Sequence, residues 1–173
     1  MSNLRLIKDT SATTGISSFA ITNIFSDDYD IYKIVVTNGQ SGGAASDVNF
    51  RFLDAFSMPI SASEYDTGTL AMKTGSSFVQ ETYTNQNLMK FGAGFVLRTP
   101  SASNTGAVIY VYSPTNSSSY TFSMVQAMDE DYSRKGIGVL TQLSKVTGIS
   151  FIPNNSSATI TTLNVKCYGV RTS

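Results

Sequence analysis

The side chains that could move a proton or hold a transition metal are few in this sequence. It contains no histidine and a single cysteine, Cys167. Ordinary Ser–His and Cys–His nucleophile pairs therefore cannot be assembled. A zinc site wants about four Cys or His ligands, or three and a water, more than this chain holds. Cys167 falls in the alternating run 164–168, on the same face as Leu163 and Val165. With no histidine to lower its pKa, it reads as a small core hydrophobe.

Carboxylates are the remaining candidates. Asp27, Asp28 and Asp30 precede the strongest alternating run, and Asp129, Glu130 and Asp131 precede Arg134 and Lys135. Either loop could offer oxygen ligands to calcium, and Asp27, Asp28 and Asp30 are the metal candidates carried forward. Neither loop has EF-hand spacing, and an acidic turn is more often a solvated cap. No acid and nucleophile of a paired-carboxylate glycosidase can be singled out. The segment from Gly39 through Gln40 and Ser41 to Gly43 lacks both the lysine and the helix that follow a phosphate loop. The expectation is a protein without enzymatic activity and without a cofactor.

The elements that must position these residues read as strands. Apolar and polar residues alternate in short runs divided by Gly, Ser, Asn and Pro clusters, as in antiparallel strands with one buried face. Residues 29–36 place Tyr32, Ile34 and Val36 on one face and Ile31, Lys33 and Val35 on the other. After a flexible tip at 38–43, a hairpin is expected to lead into Val48, Phe50 and Phe52, or Phe56 if the strand runs on. Further strands are expected over 4–7, 19–21, 78–83, 88–97, 107–112, 120–128, 137–143, 147–152 and 160–170, with Gly92 and Gly94 marking a bulge. About ten strands and no crossover helix predict an all-β, antiparallel two-sheet sandwich, jelly-roll-like. Residues 1–10 form an amino-terminal arm and first strand, and residues 11–173 a single β-sandwich domain.

Composition narrows the partners. Charged residues make up 14% of the chain, against about 25% in ordinary globular domains. Twelve basic and twelve acidic residues leave no net charge and no basic block, which argues against nucleic acid. No run approaches the length of about 20 apolar residues that spans a bilayer, and 1–11 has no apolar stretch suited to a signal peptide. No membrane partner is expected, and synthesis in a cytoplasm is. The sequons at Asn116, Asn154 and Asn155 predict exposed loops rather than glycosylation. Most of the tyrosines, Tyr65, Tyr83, Tyr110, Tyr112 and Tyr120 among them, are expected in or beside the core.

Several segments, in order, resemble a group of small structural proteins from tailed phages. They are the opening Leu-rich strand with its Ser/Thr run and Phe19-Ala20-Ile21, residues 28–38 (DYDIYKIVVTN), Phe50-Arg51-Phe52-Leu53, Tyr112-Ser113-Pro114, residues 146–151 (VTGISF) and residues 163–170 (LNVKCYGV). The charged stretch from Asp129 to Lys135 has no counterpart in that pattern. The resemblance implies a jelly-roll-like sandwich on the virion surface, as a capsid decoration (cement) protein or part of a tail fibre, commonly a homotrimer. The implied partners are the major capsid protein or other virion proteins, and no catalytic residue carries over. Contacts are expected from the arm, Met1, Ser2 and Asn3, and from polar loops at Gly39, Gln40 and Ser41 and at Thr115 and Asn116. The alternatives are a tail or tail-fibre component that binds a host receptor, and a glycan-binding module.

Overall fold

The computed structural model describes residues 3–75, 78–92, 95–99, 105–130 and 132–171. They form an antiparallel two-sheet sandwich of twelve strands. Among them no helix is long and apolar enough to cross a membrane.

The strands, in chain order, are β1 (Leu4–Ala12), β2 (Phe19–Ile21), β3 (Ile31–Gly43), β4 (Ser46–Leu53), β5 (Tyr65–Lys73), β6 (Val79–Gln86), β7 (Val96–Leu97), β8 (Thr105–Tyr112), β9 (Thr121–Met128), β10 (Tyr132–Leu140), β11 (Gly148–Pro153) and β12 (Ala158–Val170). The large sheet has the order β1-β12-β3-β8-β9-β10-β5-β6 and the small sheet β2-β11-β4-β7. The connections from β1 to β2, β3 to β4, β7 to β8 and β11 to β12 each cross from one sheet to the other. Strands β1-β12-β3-β8 facing β2-β11-β4-β7 reproduce the interleaved eight-strand order of a jelly roll. Two hairpins are added to it. β5–β6 is inserted between β4 and β7, β9–β10 between β8 and β11, and the two pair through β10 and β5. Together they extend the large sheet beyond β8 as a four-stranded wing.

Alternation on the central strands holds as read: Tyr32, Ile34 and Val36 are buried, and so are Ala107, Ile109 and Val111 on β8 and Leu163, Val165 and Cys167 on β12. Phe50, Phe52 and Phe151 of the small sheet fill the space between the layers, with Phe91 stacked on Phe50 at 5.6 Å. Phe56, by contrast, is 87% exposed, because β4 ends at Leu53 and the chain turns over Asp54, whose Oδ1 accepts the N–H groups of Phe56 and Met58.

Other expectations are corrected. No hairpin joins β3 to β4, because they lie in different sheets: β3 pairs with β12 and β8, β4 with β11 and β7. Nor are residues 39–43 a mobile tip. They continue β3, with Ser41 opposite Ile160 and Gly39 opposite Thr105; the turn itself follows Gly43. The first strand, expected over 4–7, runs on to Ala12 and pairs with β12 along its length. β5 was not anticipated. Of the described residues within 88–97 only Val96–Leu97 form a strand, with Met89 bridged to Phe50. The charged stretch after β9 closes the β9–β10 hairpin, Asp129 N–H donating to the Tyr132 carbonyl at 2.8 Å. β10 therefore starts earlier than its apolar pattern suggests and ends before exposed Leu143. The bulge expected at Gly94 lies outside the described residues.

Candidate functional site

The candidate site is a surface, and it lies on the wing. The register sets its rows. On the outward face of β10, Lys135, Ile137 and Val139 stand opposite Gln126, Met124 and Phe122 of β9 on one side and Leu70, Gly68 and Asp66 of β5 on the other. Most of these outward residues are apolar. Ile137 is 67% exposed, and Leu70, Met72, Phe122 and Met128 are exposed around it. From the end of β8 across to β6 the face sinks into a groove of about 510 Å³ whose walls include Tyr112, Phe122, Met124, Ile137, Thr82 and Thr84. Gly68 forms its floor: a Cβ there would meet nothing nearer than Ile137 Cγ1 at 4.0 Å.

Beneath this apolar face the wing is polar and tightly bonded. Arg134 of β10 is 3% exposed. Its Nη1 donates to Thr69 Oγ1 at 2.8 Å and to Glu81 Oε2 on β6 at 2.5 Å, tying three strands together. Thr67 Oγ1 donates to the Lys90 carbonyl at 2.7 Å, and Tyr83 Oη to Glu81 Oε2 at 3.2 Å. Burial and the neighbouring Glu81 charge raise the Tyr83 phenol pKa. Asp47, close enough to feel Arg134, is pushed above the usual carboxylate range, chiefly by burial. Such a network holds a rigid platform.

Asp27 and the loop at Thr115 come together at one end of the sandwich. Lys145 Nζ donates to both Asp27 carboxylate oxygens, at 3.1 and 2.9 Å. The Lys145 and Thr115 hydrogen bonds hold the Asp27 carboxyl below its ordinary range. Asp28 instead accepts from Ser26 Oγ at 3.0 Å, and the Asp30 carbonyl accepts from Ser113 N–H at 2.8 Å. Asp27, Asp28 and Asp30 thus bond to separate partners and do not converge. Among the described residues no group of three or more carboxylate or thiol side chains is placed to hold a metal ion. The loop is fixed from below by Tyr32, whose Oη donates to the Ser26 carbonyl at 2.6 Å and accepts from Ser26 N–H at 2.7 Å.

The other expected contact residues scatter. Gly39 and Ser41 are buried and Gln40 half-buried within β3; Ser41 Oγ donates to the Ala44 carbonyl at 2.7 Å. Asn3 is exposed, its carbonyl accepting Arg171 N–H at 2.9 Å, while Met1 and Ser2 lie outside the described residues. Thr115 is half-buried and Asn116 exposed, as are the loop residues Asn154 and Asn155. Asp129 pairs with Arg98 at 2.6 Å; Asp131 lies outside the described residues. Tyr65 is fully buried, Tyr83, Tyr110 and Tyr112 half-buried and Tyr120 exposed. The wing face itself escaped the sequence reading. One signal was present: in Thr67-Gly68-Thr69-Leu70-Ala71-Met72 and Arg134-Lys135-Gly136-Ile137, large apolar side chains occupy one parity and small or polar ones the other.

No family model and no curated protein matches the chain. Among solved structures, the infectious bursal disease virus VP2 subviral particle aligns with 97% of this chain and 42% of that one, at 8% identity and a TM-score of 0.16. A likeness that weak carries no argument about this chain, which spans less than half of that structure's length.

Proposed function

We propose that this chain is a phage virion structural protein, a capsid decoration (cement) protein that stabilises the particle by bridging neighbouring coat subunits. The resemblance of its segments to small tailed-phage structural proteins prompts the reading. The observation that carries it is the exposed apolar face of Leu70, Met72, Phe122, Met128 and Ile137 on a rigid wing. Exposed apolar side chains gathered on one face and rimmed by polar ones mark surfaces that meet another protein. The wing is an addition to the jelly roll, its outward side apolar and its inward side locked by Arg134, a design suited to docking. Many copies, each binding weakly, would reinforce one lattice by avidity.

The test is addition of the purified chain to expanded empty capsids. Co-sedimentation and a raised capsid melting temperature support the reading; Ile137→Lys, which alters the face without touching the core, abolishes both. Absence of binding by the folded wild-type chain would sink it. A tail or tail-fibre role with a glycan receptor has one observation in its favour, a groove lined at one side by Tyr112 and Phe122 and at the other by the hydroxyl-bearing Thr82 and Thr84, since aromatic faces and hydroxyls suit sugars. Binding to host cells or a glycan array instead of capsids would select it.

A further inference from the structure

Sheet edges expose unpaired backbone groups, and proteins guard them with bulges, charges or brevity. Three of the four edges here are guarded. β1 carries a register break between Leu6 and Lys8 and the charges of Arg5, Lys8 and Asp9; β2 has three residues and β7 two. β6 is different. It presents eight residues, VQETYTNQ, with no proline and no basic residue, and pairs with β5 without interruption from Thr67↔Tyr83 to Ala71↔Val79, its one register break falling at the far end, between Tyr65 and Thr67. Its one charge, Glu81, points under the sheet to Arg134. Among the described residues no strand continues the large sheet past it.

We propose that β6 is a pairing edge for β6 of a second copy of this chain, antiparallel about a two-fold axis at Thr82, so that two large sheets join into one. The sequence of β6 argues for itself as the partner. Residues directly opposite in a ladder share a face, and side chains alternate along a strand. A two-fold normal to the sheet must therefore set one residue opposite its own copy. An axis at Glu81 places two carboxylates together, which is destabilising. An axis at Tyr83 draws Asn85, held at φ 54, into the ladder opposite Glu81. The axis at Thr82 avoids the first and gives a five-residue ladder, 80–84, that ends before Asn85 would fall opposite Val79: Thr82 meets Thr82, Gln80 meets Thr84, and Glu81 meets Tyr83. Val79, Thr82 and Tyr83 are residue types that favour strands. The isologous contact is closed, and so limits growth to a dimer.

The experiment uses the full chain at tens of micromolar, with mass measured by light scattering after gel filtration and folding checked by circular dichroism. The wild type is expected at twice the monomer mass. Thr82→Asp and Thr82→Lys, each placing like charges on the axis, are expected to be folded monomers, and an equimolar mixture of the two to regain the dimer mass. A monomeric wild type, a trimer, or a dimer that survives both single charges overturns the proposal. The readout is independent of capsid binding, so the two proposals fail separately.

Discussion

Tyr65 on β5 and Phe52 on β4 are joined twice: their rings stack with centroids 6.4 Å apart, and Tyr65 Oη accepts the backbone N–H of Phe52 at 3.1 Å. The same hydroxyl donates to the Ile60 carbonyl at 3.0 Å. A side chain of the wing's third strand thus crosses the core to the facing sheet. It anchors the added hairpins to the jelly roll.

Tyr65→Phe keeps the ring and leaves a buried N–H and a carbonyl without their partner. Losing such a partner costs about 1–3 kcal/mol, to be read as a lower urea midpoint at unchanged slope. Burial also raises the Tyr65 phenol well above its ordinary range. Stability from this site is complete below about pH 10, the unfolded value, and is lost as pH rises above it; the Phe variant lacks that dependence.

Gly92 sits at φ +63, and a Cβ there would overlap Glu81 Oε2 and come within 2.8 Å of Arg134 Nη1. Gly92→Ala combines left-handed strain of about 1–2 kcal/mol with displacement of the ion pair. A stability loss of about 2–4 kcal/mol is expected. If Glu81→Gln is already in place, the penalty of the second change should shrink, which a double-mutant cycle measures.

The Cys167 thiol is fully buried on β12, and burial pushes its pKa up to about 12. It should not react with a thiol reagent in the native state at pH 8, and should react stoichiometrically in denaturant. Fast labelling of the folded chain would contradict the packing of β12.

Asp47 is held above the usual carboxylate range, with burial the largest cause. A carboxyl whose folded pKa exceeds the unfolded one binds its proton more tightly when folded. Its contribution is fully present below about pH 3.9, the unfolded value, and is lost as pH rises through the raised folded value. Asp47→Asn is therefore expected to stabilise the protein at pH 7 and to flatten the acid-side rise in thermal melting. A variant less stable than wild type at pH 7 would mean that Arg134 outweighs burial at this carboxylate.

Alternation made β3, β8, β9 and the carboxyl-terminal strand legible, because each has one face in the dry core and the period of two is written in its residues. β5 was illegible for the opposite reason. Its inward side carries Thr67 and Thr69, satisfied by the Lys90 carbonyl and by Arg134, while Leu70 and Met72 face out. A reading that assigns apolar residues to the core inverts such a strand. The loop reading at Gly39, Gln40 and Ser41 failed similarly: glycine and serine suggested a loop, but the segment pairs with β12 and β8, and Ser41 N–H donates to the Arg98 carbonyl.

Taken alone, the residues settled the all-β class, the identity of most core side chains and the lack of histidine chemistry, since these depend on local period and on composition. Which sheet each strand joins, the crossing from β3 to β4, the wing and its apolar outer face were settled by pairings between segments distant in the chain, such as β5 with β10 and β3 with β12. A strand's backbone groups are the same whatever its neighbour, so local sequence does not choose the partner; the packing of both layers does.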